Sequence, residues 1–441
     1  MYIYIEHSFG TYIRFLEVSM GNKCYMIIDL KSFYASVECI ARDLDPMTAK
    51  LVVADPDRSK GTICLAITPA MKALGIRNRC RIFEIPKGID YIIAKPRMKK
   101  YIDVSANIYE IYLQYFSKDD IHVYSIDESF MDVSAYLKLY NISAHDLALK
   151  LMGEIQQKEG LRATCGIGPN LYLAKVALDI LAKHSPDYIA ELDEETYKAK
   201  LWNHRPLTDF WRIGPGTVRR LSTLGILTQR DIAMAPQDVL YKAFGSNAEY
   251  LIDHAWGREP CTIDDIKHYE NKSHSLSCGQ VLMKDYTYDE ALIVVKEMAN
   301  ELSLEMVEKR VVSSTFSLYV GYSKDAFPPA GGSVTLQVTT NSVRLITDAM
   351  TQIYKQTVVP GGLIRRLNMA ALSILDECYE QYSFFVDPTI MEKDRHLSRS
   401  VNNIKDKFGK NAIFKGMDLL DAATQLERNA QIGGHAAGEE L

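Results

Sequence analysis

Apolar and polar positions along the chain sort into short strands and helices separated by polar turns. Residues 24–28 form an unbroken apolar run suited to a buried strand; the run stops at Asp29, and Phe33, Tyr34, Val37 and Ile40 then recur at helical spacing. Segments 51–54 and 62–67 predict two further strands around a polar turn, and Pro69 opens a short helix that Gly75 ends. Residues 123–133 read as two apolar half-strands meeting at an acidic turn, Asp127-Glu128. A helix over 144–158, a strand over 163–167 and a helix over 171–183 follow, the last introduced by Gly168-Pro169-Asn170. The order β-α-β-β-α-β, with one segment inserted, predicts a ferredoxin-like layer.

Short helices around Ile213-Gly214-Pro215-Gly216 predict a helix-hairpin-helix over 206–230. After Gly257 a polar linker runs over 258–271. Strands at 273–282, 313–322, 333–339 and 363–375, with helices at 289–309 and 343–356, repeat the β-α-β-β-α-β order. The tail beyond Asp376 is polar enough to be loosely attached. Residues 1–23 lack periodicity and read either as a short arm or as a segment preceding a true start at Met20.

The length of 441 residues exceeds the roughly 250–300 at which a single core stops growing, so several domains are expected. With 47% hydrophobic against 24% charged residues, there is material for packed cores. No apolar run approaches the roughly 20 residues of a membrane span and the start lacks a signal-peptide pattern, which predicts a cytoplasmic protein with no membrane partner. Eight cysteines without a C-x-x-C pair argue against structural zinc and predict reduced, mostly buried thiols. The net charge of −5 decides nothing about nucleic acid, because phosphate contacts need cations only where the backbone passes.

Two acidic sites interrupt very apolar strands: Asp29, and the pair Asp127-Glu128. Phosphoryl transfer from a triphosphate uses two metal ions roughly 3.5–4 Å apart, and Mg²⁺ prefers oxygen ligands with one or two carboxylates. If the strands are neighbours, Asp29 and Asp127-Glu128 meet that need. Adjacent strand residues point to opposite faces, so Asp127 and Glu128 can both serve only where a turn or bulge re-aims one. Taken singly, Asp29 also suits a helix cap and Asp127-Glu128 a polar turn.

The stretches Asp29-Leu30-Lys31-Ser32-Phe33-Tyr34-Ala35-Ser36-Val37-Glu38 and Tyr124-Ser125-Ile126-Asp127-Glu128-Ser129-Phe130 resemble the two metal-site motifs of Y-family translesion DNA polymerases. The resemblance continues through Cys165-Gly166-Ile167-Gly168 with Asn170, Ala174-Lys175 and Asp179, the Ile213-Gly214 hairpin, and Lys272-Ser273-His274-Ser275, covering residues 24–376. Lys31 and segment 69–75 are closer to the branch typified by bacterial UmuC proteins than to the DinB branch.

The resemblance implies an α+β multidomain right hand: a ferredoxin-like palm (24–44 and 96–184), small fingers (45–95), a helix-hairpin-helix thumb (185–257), the linker (258–271), a little finger (272–376) and a tail (377–441). The implied activity is low-fidelity, template-directed addition of deoxynucleotides to a primer 3′-hydroxyl, in translesion synthesis, DNA repair and the SOS response. Asp29, Asp127 and Glu128 would hold two Mg²⁺ ions, with Mn²⁺ an alternative and the Leu30 carbonyl an added ligand. Tyr34 would be the steric gate under the sugar, Phe33 its neighbour, and Lys72 and Lys183 the triphosphate cations. Many members carry a Tyr three residues before an Arg where this chain has Pro69 and Lys72, so a hydroxyl is missing and a guanidinium becomes a point charge.

Gly214 and Gly216 would let backbone amides reach a DNA phosphate. Lys272 and Ser273 would meet DNA at the little-finger entrance. Lys272, Lys284, Arg310, Lys324, Arg365 and Arg366 lie on or beside predicted strands and suggest a basic face, although such charges are also common on a solvated one. Gln381, Phe384 and Phe385 are similar to the peptide that bacterial replication factors insert into the sliding clamp, so the implied partners are primer-template DNA, deoxynucleoside triphosphates and the clamp. The alternatives are a nucleotide cyclase on the same layer and a catalytically silent DNA-binding homologue.

Overall fold

A computed structural model of the chain describes residues 23–57, 61–270, 275–379 and 388–438. The readings placed on 1–22, on Lys272 and Ser273, and on Gln381, Phe384 and Phe385 lie outside the described residues. In chain order the first part holds β1 (Tyr25–Leu30), α1 (Phe33–Ile40), β2 (Leu51–Val53), β3 (Ala66–Ile67), α2 (Pro69–Ala73), β4 (Ile92–Ala94) and α3 (Met98–Leu113). Next come β5 (Ile121–Ser125), β6 (Glu128–Asp132), α4 (Ser134–Tyr140), α5 (Ala144–Glu159), β7 (Ala163–Gly168), α6 (Leu171–Val176) and β8 (Ile189–Glu191). Helices α7 (Glu194–Leu201), α8 (Pro215–Thr223), α9 (Gln229–Met234), α10 (Gln237–Phe244), α11 (Asn247–Ala255) and α12 (Ile263–Lys267) follow. The last part holds β9 (Ser275–Tyr286), α13 (Tyr288–Glu308), β10 (Val311–Tyr322), β11 (Ala330–Thr340), α14 (Val343–Thr357), β12 (Ile364–Leu372), β13 (Leu375–Asp376), α15 (Pro388–Phe408), α16 (Gln425–Asn429), β14 (Gln431–Ile432) and β15 (His435–Ala436).

The chain divides into two compact units: residues up to Leu44 with Ile102–Tyr269, and Asp45–Tyr101 with the residues from Glu270 onward. The first unit is built on the sheet β5-β6-β1-β7-β8. Its first four strands are antiparallel neighbours with the chain's first strand inside, which is the ferredoxin-like arrangement; β8 adds a parallel edge. Tyr25, Met26, Ile27 and Ile28 are all buried, as an unbroken apolar run in a central strand covered on both faces requires. On one face Tyr25, Ile27 and Phe130 pack with Leu171, Ala174 and Leu178. Ser143 caps α5 and Gly160, at φ 69°, ends it. Of the helix-hairpin-helix expected around Gly214-Pro215-Gly216, only a 3-10 turn (Leu207–Asp209) stands on the near side; α8 begins at Pro215, and a turn with Gly225 at φ 74° leads on to α9.

Several expectations need correction. The first strand runs through Asp29 to Leu30 instead of stopping before it, because β6 and β7 both continue alongside. The strand expected over 62–67 shrinks to Ala66–Ile67, with only an isolated bridge at Ile63. The helix expected over 171–183 is α-wound only to Val176; a π turn (Ala177–Leu181) and a 3-10 turn (Ala182–His184) complete it. Helices α3 and α4 were not foreseen.

In the second unit the sheet order is β11-β10-β12-β9, so the expected element order folds into a different topology from the first sheet. Phe316, Leu318, Val320, Leu367 and Met369 bury one face against α13 and α14. Ser277, Gly279, Tyr319, Thr335, Arg366 and Asn368 lie exposed on the other. That face is mainly neutral, unlike the basic face expected: Lys284 pairs with Glu290 and Arg365 with Asp285, both at 3.3 Å.

The tail is docked, not loosely attached. Buried Glu297 of α13 accepts from Thr424 N at 2.9 Å, Thr424 Oγ1 at 3.0 Å and Gln425 N at 3.2 Å, capping α16. Glu377 pairs with Arg395 at 2.9 Å and Arg399 at 2.7 Å of α15. All eight cysteines are free thiols, and no described helix is long and apolar enough to cross a membrane.

Candidate active site

Three strands bring the acidic motifs together. Asp29 of β1 stands directly opposite Glu128 of β6, with Thr164 of β7 on its other side. Counting alternate residues from Ile27 and Phe130 places both carboxylates on the face covered by α6. Asp127 sits in the tight turn between β5 and β6, outside the strand that begins at Glu128, so the two adjacent carboxylates are not bound to opposite faces of one strand; the β5–β6 register also shifts between Val123 and Ser125. Leu30 N donates to Asp127 O at 2.9 Å, tying the turn to the end of β1, and Ser125 Oγ donates to Asp127 Oδ1 at 2.6 Å.

Electrostatically the site is short of positive charge. Burial, and then Asp127 and Glu128, push the Asp29 carboxyl up to about 7, against the pull of Lys183 and Lys175. Burial also raises Glu128, and Lys175 opposes it. Lys175 is itself buried, ion-paired with Glu128 and 3.1 Å from Asp179; burial works against its charge, but Asp179 and Glu128 hold it above its usual range. Among the described residues, no three acidic, histidine or cysteine side chains are gathered closely enough to hold an ion. Three carboxylates repel one another, and here Glu128 is turned to a lysine. The donor set is entirely oxygen, which suits Mg²⁺.

The remaining predicted residues separate by place. Phe33 is buried, so its ring belongs to the core and only its backbone amide could meet a nucleotide. Tyr34 is half-buried on the first turn of α1, its ring 5.7 Å from that of Phe33. Ser32, the residue before α1, makes no capping hydrogen bond through its own side chain and holds φ 50°, a strained value for a residue with a Cβ. Lys31 lies 4.0 Å over the Tyr188 ring. Lys183 is exposed, 3.4 Å from Asp179. Lys72 lies exposed on α2, in the second unit. Gly214 caps α8 and Gly216 stands in its first turn; a Cβ added to either would meet nothing within 4 Å, so internal packing does not require glycine there.

Sequence reasoning gave Lys175 and Asp179 no chemical role. Their i, i+4 spacing, eight residues including Lys183, was the available signal.

Comparison with known proteins places this geometry. Residues 28–179 match the impB/mucB/samB family and residues 273–384 that family's C-terminal domain. The chain is 33% identical over 420 residues to UvrX of Bacillus subtilis (strain 168), a protein named for UV-damage repair, covering 94% of this chain and 98% of that one. It is 30% identical over 422 residues to DNA polymerase IV 2 of the same organism, covering 94% and 99%. DNA polymerase IV of Desulfatibacillum aliphaticivorans is 26% identical over 412 residues, covering 92% and 99%. Among solved structures, a Y-family DNA polymerase chimera, Dbh-Dpo4(243-245)-Dbh, superposes with a TM-score of 0.61 at 22% identity, over 80% of this chain and 99% of that one, and so shares the fold. The chain therefore belongs to the impB/mucB/samB family of Y-family DNA polymerases and is a DNA-directed DNA polymerase.

Proposed function

We propose that this polymerase extends primers across damaged template by adding deoxynucleotides at Asp29, Asp127 and Glu128, which with the Leu30 carbonyl hold two Mg²⁺ ions. The observation that carries the reading is the Asp29–Glu128 cross-strand pair with Asp127 in the adjoining turn. When bound, the ions would activate the primer hydroxyl and neutralise charge on the leaving pyrophosphate. The chain's own residues do the positioning. The first turn of α1, which follows β1 within three residues, presents backbone amides toward the triphosphate, and the half-buried Tyr34 ring limits room beside the sugar. Lys183 stands near enough to Asp29 to lower its carboxyl's pKa, a suitable place for a triphosphate cation. Lys72 is proposed as a further triphosphate cation.

Gly214 and Gly216 admit a DNA phosphate to the start of α8, and Lys272 and Ser273, which precede β9 in the sequence, add contacts to the DNA backbone. The peptide Gln381, Phe384 and Phe385 docks on a sliding clamp. A cyclase would have no use for a DNA-gripping thumb or little finger. Primer extension over undamaged and abasic templates, with and without divalent metal, tests the proposal. Metal-dependent extension past the abasic site is expected; extension that stops there would remove the translesion role.

A further inference from the structure

Lys175, Asp179 and Lys183 are spaced four residues apart across a helix that changes its winding. In a regular α-helix each four-residue step overshoots a full turn by about 40°, so three such residues drift off one line. The looser π turn over Ala177–Leu181 falls between them and reduces that drift. The helix is also pressed against β7. A Cβ on Gly166 would stand 2.1 Å from Ala174 O, and one on Gly168 2.7 Å from Ala174 N, so only glycine permits this approach. The result is a row of alternating charge: Glu128, Lys175, Asp179, Lys183. Lys175 retains a second partner in Glu128, whereas Asp179 is the carboxylate paired with Lys183.

From this we infer that Asp179 is a positioning residue for the incoming nucleotide: it fixes the exposed Lys183 ammonium for the triphosphate while Lys175 stays on Glu128. A lysine side chain is long and flexible, and holding it in advance lowers the ordering cost of binding. The inference rests on the proposed reading that Lys183 meets the triphosphate. Asp179 pairs with Lys175 and Lys183 and with none of Asp29, Asp127 and Glu128, so its loss should appear in nucleotide KM and spare kcat.

The test is single-nucleotide incorporation by the full chain carrying Asp179→Asn, Asp179→Glu, Lys183→Ala, or Asp179→Asn with Lys183→Ala, with primer-template affinity measured for each. Lys183→Ala should raise nucleotide KM about tenfold, the size of one charge-assisted contact. Asp179→Asn should raise it several-fold with kcat within about twofold and DNA affinity unchanged, and the double variant should be no worse than Lys183→Ala. Asp179→Glu, which keeps the carboxylate, should recover most of the loss and separates positioning from misfolding. An effect of Lys183→Ala with none from Asp179→Asn, or multiplying effects in the double variant, would overturn the inference. No effect from Lys183→Ala would instead overturn the triphosphate reading on which it rests.

Discussion

The palm sheet and the sheet of the second unit share the order β-α-β-β-α-β but differ in where the first strand lies. In the palm β1 is central, flanked by β6 and β7; in the second sheet β9 is at the edge beside β12. A polar group near the end of a covered central strand is surrounded by protein, so charge effects accumulate, and Asp29 shows this in its raised carboxyl. The second sheet leaves one face exposed. Among the described residues that face has no cluster of carboxylates; it offers Ser277, Thr335, Asn368 and Arg366, groups suited to a phosphate backbone. Gly279 belongs to the same design, since a Cβ there would meet Asn368 Oδ1 at 2.0 Å. The contrast is between a buried cluster of carboxylates and an open surface of mainly neutral hydrogen-bonding side chains.

Substitutions at the carboxylates should separate the two regions most sharply. Asp127→Asn or Glu128→Gln should lower nucleotide addition by roughly three powers of ten, since metal charge stabilisation is worth several kcal/mol and each 1.36 kcal/mol is tenfold. Duplex affinity, measured on the same protein, should change little. Next in size, Tyr34→Ala should raise ribonucleotide relative to deoxynucleotide incorporation on the order of 10- to 100-fold, read from paired KM and kcat measurements. Phe33→Ala, in the core, should instead cost about 3–5 kcal/mol of stability and depress both activities together.

Two glycines give a smaller, cleaner contrast. Gly166→Ala drives a Cβ into the backbone of α6 and should destabilise the protein by about 1–3 kcal/mol, visible as a lowered Tm. Gly216→Ala meets nothing inside the protein and should leave stability within ~0.5 kcal/mol while weakening DNA binding. Smallest of all, Arg366→Ala on the open face should reduce DNA affinity a few-fold and flatten its salt dependence by about one unit of slope, with kcat unchanged.

Much of the palm was legible before the structure because its signals are local. An unbroken apolar run ending near Asp29, and a hairpin with adjacent acids, specify a strand and a turn or bulge that re-aims one acid, and Asp127 stands in the turn just before β6 begins at Glu128. The Asn170 cap and the Gly75 stop were likewise readable from single residues. What escaped depends on contacts distant in sequence. The π turn after Val176 lies where the helix packs closely on Gly166, whose added Cβ would meet Ala174 O and Leu178 N. The docking of the tail depends on buried Glu297 capping a helix more than a hundred residues later, and a polar composition gives no hint of it. The expected basic face was a count of cations; Glu290 at the start of α13 and Asp285 on β9 neutralise two of them.

The central claim is that the palm carboxylates hold the ions used in nucleotide transfer. The direct measurement is the number of Mn²⁺ ions bound, read by electron paramagnetic resonance, in a complex of the full chain with a dideoxy-terminated primer-template and the next deoxynucleoside triphosphate. Two bound ions are predicted for the natural sequence, and fewer for Asp127→Asn at the same DNA occupancy. An equal count in both proteins would contradict the account.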